Sequence, residues 1–392
     1  MIIYNIRKTL KMMLMFEMVA KTLFGLENIL AEELRGIGAE NIRVLNRAVA
    51  FMGSKKLMYK ANYSLRTALK ILVPLSETEI NTEKDLYNFI RSLQWDKYLE
   101  KDDTLAVEIA LKSNLFTHSQ FVAQRIKDAI VDQFRDKYGQ RPSVDLDNPV
   151  LRINAFIHDK TVKLSLDSSG DPLYKRGYRI RQGSAPLNEI LAAGLILLTG
   201  WNSKIPFVDF MCGSGTLPVE AALIACKIPP GAMGRFYGFK NWKDYDSGLF
   251  NEVVHEKSTY TDFADLKILA SDISSDAVRL AIKHAQNAGV ADKINFQTCH
   301  FDDILPPSAP GIVIINPPYG ERIIPHDIND LYARIGNKLK KGFAGYEAWI
   351  FSGNGDALKH VGLRPSKKIN LFNGQLECKF HRYSLYEGSI KV

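Results

Sequence analysis

The stretch IPFVDFMCGSGTLPVEAALIAC, residues 205–226, decides the fold. Ile205 to Asp209 is a short apolar run ending in an acid, which reads as a strand. Thr216 to Cys226 has the composition and length of a helix. Between them lie Gly213, Ser214 and Gly215. Glycines at a strand-to-helix turn let the backbone approach a ligand, and the helix N-terminus offers free N–H groups to an anion. A dinucleotide fingerprint would put a third glycine at position 218, which is proline here, so hydride transfer is disfavoured. A plain strand–helix turn without a ligand is the other reading.

The pattern continues as α/β towards the C-terminus. KILASD (267–272) is a second strand and Ser274–Ala288 a second helix. INFQT, GIVIIN and YEAWIFS give three more apolar strands. At the end, KKINLF and QLECKFHRYSL flank Asn373-Gly374, and an Asn-Gly pair between apolar runs signals a hairpin. The expected fold class is therefore α/β, Rossmann-like, a mostly parallel seven-stranded sheet with a C-terminal antiparallel hairpin.

Two further motifs fall at strand ends, where open α/β sheets bind ligands. Asp272 closes the second strand, 57 residues after Gly215 rather than the usual ~20; an insertion at about 227–266 accounts for the gap. Asp272 either binds a ribose diol or caps the next helix. Asp302 and Asp303, after INFQT, either accept from an adenine amino group or are solvated loop carboxylates. After GIVII comes Asn316-Pro317-Pro318-Tyr319-Gly320. Consecutive prolines form a stiff extended backbone that cannot continue the sheet. The Asn316 amide oxygen and the Pro317 carbonyl can converge on one planar –NH2 group, leaving its lone pair facing an electrophile and Tyr319 free to stack on the base. A conjugated amine is a poor nucleophile, so positioning outweighs a strong base.

The N-terminal half alternates short strands and helices. Phe16–Thr22, Ile42–Phe51 and Ile71–Leu75 read as strands, and Gly25–Leu34 and Lys55–Ala68 as helices. Next come a helix at Glu83–Leu93 capped by Asn81 or Thr82, a strand at Asp102–Leu111, a basic amphipathic helix at Thr117–Tyr138, and strands at Val150–Ile157 and Thr161–Leu166. This suggests a small ferredoxin-like α+β domain at 16–75 and a second α+β module at 76–168. Residues 169–184 are rich in Gly, Ser and basic residues and read as a linker; a domain from 185 to 392 follows. Within the linker, Lys175, Arg176, Arg179 and Arg181 alternate with Tyr174 and Tyr178. They either clamp phosphates and stack on bases, or form a hinge whose arginines pair with local carboxylates.

The 392 residues carry a net charge of +8, with 46% hydrophobic and 24% charged residues. These are globular values that exclude a disordered chain or a disulfide mini-scaffold, and the basic balance favours a polyanionic partner. The four cysteines form no CxxC pair, so no metal site is expected and the thiols read as reduced, in a cytoplasm. No apolar run reaches membrane-span length. Residues 1–15 read as an N-terminal extension or an over-extended start, with Met12, Met13 or Met15 as the true beginning.

DFMCGSGT, the acidic second-strand end and NPPY together resemble class I S-adenosylmethionine-dependent methyltransferases acting on exocyclic amines. YKRGYR, APLNEILAAG, CGSGTLPVEAA, NPPYGER and NGQLECKF are similar to the bacterial THUMP-domain RNA methyltransferases, which include guanine-N2 methyltransferases of 23S ribosomal RNA. The resemblance runs from about residue 16 to the end, and departs at Phe210, where members usually carry proline. It implies a THUMP RNA-binding module at 76–168 and S-adenosylmethionine as cofactor, with S-adenosylhomocysteine as product. It implies that Asp209, Gly213, Ser214 and Gly215 hold the methionine half, Asp272 the ribose and Asp302 or Asp303 the adenine, with Cys212, Thr216 and Ile273 also among the cofactor-binding residues. Pro186 and Leu187, in the stretch 185–189, would close over the cofactor, and Asn316 to Tyr319 would hold the base. Lys175, Arg176, Tyr178, Arg179 and Arg181 would touch RNA, either ribosomal RNA or a ribosome assembly intermediate. Two other functions stay open: an adenine-N6 methyltransferase on DNA or RNA, and an RNA-binding protein with an inactive methyltransferase fold.

Overall fold

The computed structural model describes residues 15–180, 187–256, 266–318 and 325–387. The N-terminal half contains β1 (Phe16–Lys21), α1 (Glu27–Gly36), β2 (Glu40–Leu45), β3 (Ala48–Gly53), α2 (Lys55–Ser64), β4 (Lys70–Glu79), α3 (Glu83–Ser92), β5 (Thr104–Lys112), α4 (Ser119–Tyr138), β6 (Ser143–Val144), β7 (Leu151–His158) and β8 (Thr161–Asp167). Local chemistry sets several of these boundaries. Ser54 caps α2, while Thr82 and Asp85 form a reciprocal capping box at the start of α3. Residues 42–51, expected as one strand, turn back at Asn46-Arg47, where Arg47 takes φ +55°.

These strands make a single sheet in the order β2-β3-β1-β4-β8-β7-β5-β6. The two expected modules therefore share one hydrogen-bonded surface. β4 joins them, pairing with β1 at Lys70–Leu72 and with β8 from Leu72 to Glu79. The expected division at 75/76 falls inside this strand.

The C-terminal half contains α5 (Glu189–Thr199), β9 (Phe207–Asp209), α6 (Thr216–Ala225), α7 (Ser247–His255), β10 (Ile268–Asp272), α8 (Ser275–Asn287), β11 (Ile294–Thr298), β12 (Gly311–Ile315), α9 (Pro325–Gly342), β13 (Tyr346–Ser352), β14 (Lys367–Asn373) and β15 (Leu376–Ser384). Its sheet order is β11-β10-β9-β12-β13-β15-β14. The first five strands are parallel, and β15 and β14 run antiparallel as the Asn-Gly hairpin. Apolar cores fill both faces, so β12 (GIVII) is buried at every residue. β9 lies at the point where the chain order reverses, with β10 on one side and β12 on the other. The ends of these three strands thus meet at one edge.

The segment inserted between α6 and β10 packs against the other half of the molecule. Phe239 is fully buried, its ring 4.4 Å from that of Tyr59 on α2 and 5.3 Å from Phe250 on α7. Lys56 and Lys60 on α2 pair with Glu252 and Glu256. The expected linker is also packed: Ser168, Ser169, Arg176 and Tyr178 are buried. Phe210, the departure from the family pattern, lies in the core with its ring 5.7 Å from that of Phe343, just after α9. Among the described residues no helix is long and apolar enough to cross a membrane, and no cluster of His, Cys, Asp and Glu is placed to hold a metal.

Candidate active site

The turn after β9 is tied to the end of β10. Cys212 N–H donates to the Ser271 carbonyl at 2.9 Å, and Gly213 N–H donates to Asp272 Oδ2 at 2.9 Å. Asp272 Oδ1 accepts from Ser274 N–H at 3.0 Å. Ser274, whose Oγ accepts from Ala277 N–H, is the cap of α8, so Asp272 is not the capping residue; its carboxylate instead ties the glycine turn to the end of β10. Gly213 and Gly215 have φ of +51° and +80°. A Cβ on Gly215 would lie 2.7 Å from Ala281 Cβ on α8, so close helix packing requires that glycine. A Cβ on Gly213 would meet nothing within 4 Å, and so points into open space above the turn.

Three buried polar atoms near the strand ends lack partners. Asp209 is 1% exposed; its Oδ1 accepts from Met211 N–H at 3.1 Å, while Oδ2 is buried without a partner. Burial pushes this carboxyl well above the usual range, and the nearby Asp272 charge adds to the shift. His284 Nδ1 sits 3.0 Å from the Ser214 carbonyl, which only accepts, so the ring proton is on Nδ1; Nε2 is buried without a partner. Burial lowers the His284 pKa and keeps the ring neutral. At the end of β12, Asn316 Oδ1 is buried without a partner, Pro317 is buried and Pro318 is exposed. Tyr319 lies outside the described residues.

The edge fits S-adenosylmethionine. That molecule presents an ammonium, two ribose hydroxyls and an adenine amino group, all donors. Asp209 Oδ2, Asp272 and a carboxylate after β11 supply acceptors. Of the two candidates there, Asp302 is taken up by Arg334 of α9 at 2.5 Å, and its carbonyl accepts from Lys338. Asp303 is exposed and has no ion pair among the described residues. Ile273, 70% exposed beside Asp272, offers an apolar surface to a base or ribose.

Other expected contact residues are placed as follows. The Cys212 and Thr216 side chains turn inward, so only their backbone faces the turn. Burial pushes the Cys212 thiol well above its ordinary pKa. The Thr216 hydroxyl accepts from Arg179 at 2.8 Å. The same guanidinium donates to the Leu187 carbonyl at 2.6 Å and pairs with Glu189 at 2.6 Å. Leu187 itself packs in the core, and Pro186 lies outside the described residues.

The basic stretch is likewise internal. Arg176, 1% exposed, donates to the Arg66 and Leu173 carbonyls and pairs with Glu220 at 3.5 Å. The Tyr178 hydroxyl donates to Glu220 at 3.2 Å. In this structure Arg176, Tyr178 and Arg179 turn their polar groups towards buried carboxylates and carbonyls. The carboxylate pairs of the second reading are present for Arg176 and Arg179. Lys175 is exposed and pairs with Asp171 at 3.3 Å, and Arg181 lies outside the described residues. The signal for this was present: Glu189 and Glu220 stand in the otherwise apolar helices EILAAGLILLT and TLPVEAALIA, and a lone acid in such a helix needs a buried cation. Arg66 was missed altogether. It donates to the Leu223 and Ile228 carbonyls at the end of α6, and nothing in its local sequence marks it.

Comparison with known proteins places the chain in a family. The family model described as RMKL-like, methyltransferase domain matches residues 176–382. A THUMP domain model matches 81–167, and an RlmL ferredoxin-like domain model matches 17–72. The chain is 39% identical over 364 residues to the Synechocystis protein named "Putative RNA methyltransferase slr0064", covering 92% of this chain and 95% of that one. It is 37% identical over 376 residues to the ribosomal RNA large subunit methyltransferase K/L of Syntrophotalea carbinolica, covering 93% of this chain and 53% of that one. It therefore spans about half the length of that K/L relative. Among solved structures, SMU.472, described as a putative methyltransferase and complexed with SAH, is 28% identical with TM-score 0.85, covering 96% of this chain and 99% of that one. A predicted N6-adenine-specific DNA methylase from Listeria monocytogenes is 29% identical with TM-score 0.85, covering 96% and 98%. The chain belongs to the RMKL-like methyltransferase family, with a ferredoxin-like and a THUMP domain ahead of the methyltransferase domain.

Proposed function

We propose that this chain methylates the exocyclic N2 amine of a guanine in RNA, the RNA being 23S ribosomal RNA or an assembly intermediate containing it, in the cytoplasm. The observation that carries the reading is the buried, unpartnered Asn316 Oδ1, at the head of a Pro-Pro ledge and beside the glycine turn. An acceptor of that kind is costly to leave unmade, and a planar amine satisfies it. S-adenosylmethionine, when bound, supplies an electrophilic methyl group and leaves as S-adenosylhomocysteine.

The protein's part is positioning. Asn316 Oδ1 and the Pro317 carbonyl take the two amine protons and direct the lone pair outward. Pro318 keeps the ledge extended, and Tyr319 stacks on the base. Asp209, Gly213, Ser214 and Gly215 hold the methionine half, Asp272 and Ile273 the ribose side, and Asp303 the adenine. No covalent enzyme intermediate is required, and the buried Cys212 thiol is unsuited to being a nucleophile. The target base leaves its stack to reach the edge, while the THUMP region, 76–168, grips RNA structure. The names of the Synechocystis and Syntrophotalea relatives support an RNA substrate, and the latter supports the ribosomal large subunit.

The test is labelled methyl transfer onto unmodified ribosomal RNA, followed by identification of the nucleoside. N2-methylguanosine is expected. N6-methyladenosine would favour the second reading, which the name of the Listeria relative supports. Asn316→Ala is expected to cut turnover about 100-fold or more while cofactor affinity holds. Near-normal methylation by that variant would remove the acceptor pair from the mechanism.

A further inference from the structure

With Arg176 and Arg179 committed internally, the substrate's phosphates need cations elsewhere near the catalytic edge. β13 pairs with β12 and ends at Ser352, and Ser352 stands opposite Lys379 of β15. On the same face, Asn370 of β14 is opposite Lys379, and Lys368 is opposite His381. Lys368 and Lys379 are thus diagonal neighbours, about 7–8 Å apart at the backbone. The 310 turn Ala357–Val361 faces this surface and brings Lys359 to it. The result is a groove of about 570 Å³ whose lining includes Lys359, Lys368, Lys379, His381, Asn370 and Glu377.

The lining sets Glu377 against three ammonium groups. Lys359 pairs with Asp356 at 2.7 Å, whereas Lys368 and Lys379 have no ion pair among the described residues. A Cβ on Gly355, in the turn after β13, would lie 3.1 Å from Lys379 Nζ, so that charge sits at the mouth facing the catalytic edge. His381 is an independent mark. It is 7% exposed, lines the groove, and its Nε2 is buried without a partner. Burial and then the two lysines pull its pKa down to about 4.

We propose that this groove binds the phosphate backbone of the substrate RNA beside the target nucleotide, with Lys368 and Lys379 as the principal phosphate contacts. The inference rests on RNA being the substrate. Two strand spacings separate β12 from β15, about 10 Å, so the groove receives nucleotides close to the base on the Asn316 ledge. Charge complementarity favours a polyanion, and continuity with the catalytic edge favours the nucleic acid being methylated.

The probe is large-subunit ribosomal RNA transcribed without modifications, with its binding followed by fluorescence anisotropy across a salt series. Lys368→Gln with Lys379→Gln is expected to flatten the slope of log affinity against log salt by about 1.4, at about 0.7 per lost phosphate contact on single-stranded RNA. KM for RNA should rise, and affinity for S-adenosylmethionine should stay unchanged. Lys368→Arg with Lys379→Arg, which keeps both charges, should retain the wild-type slope. An unaltered slope in the glutamine pair, with wild type still methylating RNA, overturns the groove and leaves the proposed function standing. Wild type that binds RNA but never methylates it defeats the proposed function alone, and the slope still decides the groove. Wild type that binds no RNA defeats both.

Discussion

The two glycines of the turn separate strain from space. Each sits at positive φ, where a side chain costs about 1–2 kcal/mol. At Gly215 an added methyl also presses on Ala281, with its Cβ at 2.7 Å and its Cα at 3.1 Å, adding about 1–3 kcal/mol of overpacking. Gly215→Ala should therefore melt at a clearly lower temperature than Gly213→Ala, and Gly213→Ala should be the one that folds yet loses S-adenosylmethionine in titration calorimetry. Equal melting with intact binding would contradict both assignments. His381 gives a pH test. Its folded pKa of about 4 lies below the ordinary 6.5, so the folded state disfavours the proton. Its share of stability is whole above 6.5 and drains as pH falls towards 4. His381→Gln should lose less melting temperature than wild type between neutral pH and about pH 5. Parallel losses would show that the ring is solvated.

At the scale of elements, Arg179 links the start of α5 to the start of α6 through Glu189, the Leu187 carbonyl and Thr216. Arg179→Gln leaves Glu189 buried and unpaired, at a cost of about 3–5 kcal/mol. Adding Glu189→Gln should return part of the lost melting temperature, a coupling that a double-mutant cycle reads directly; strict additivity would mean the pair is not coupled. These elements also show what was legible beforehand. YEAWIFS matches the observed bounds because an apolar run at a buried sheet centre has no competing pattern, and INFQT matches them as the half-exposed edge strand β11. The place of the glycine turn, Asp272 and Asn316 at strand ends could be read beforehand because a strand and the turn after it are local in sequence. The hairpin within residues 42–51 could not, since Asn46-Arg47 carries no Gly or Pro and only the φ of Arg47 marks the turn. Residues 169–180 looked like a linker because buried ion pairs are made by partners distant in sequence, such as Glu220 and Arg66. The lysine groove was invisible for the same reason, being assembled from β14, β15 and a 310 turn.

For the molecule as a whole, the two halves share a core. Phe239 comes from the catalytic half yet packs with Tyr59, Met58 and Leu57 of the N-terminal half. Phe239→Ala should cost about 3–5 kcal/mol and lower a single calorimetric transition; two separate transitions in wild type would deny the shared core. The exposed pair between Lys56 and Glu252 should matter far less, by about 0–1 kcal/mol on Lys56→Ala.

β4 has a practical corollary. Because one continuous ribbon from Lys70 to Glu79 serves as inner border for both N-terminal units, scissors applied at residue 75 would leave each fragment with half a strand and a raw, sticky flank. Anyone transplanting the THUMP-bearing portion onto a different catalyst would have to move residues 16–167 together. The reach from that portion to the reacting base is accordingly a fixed gauge, not an adjustable tether.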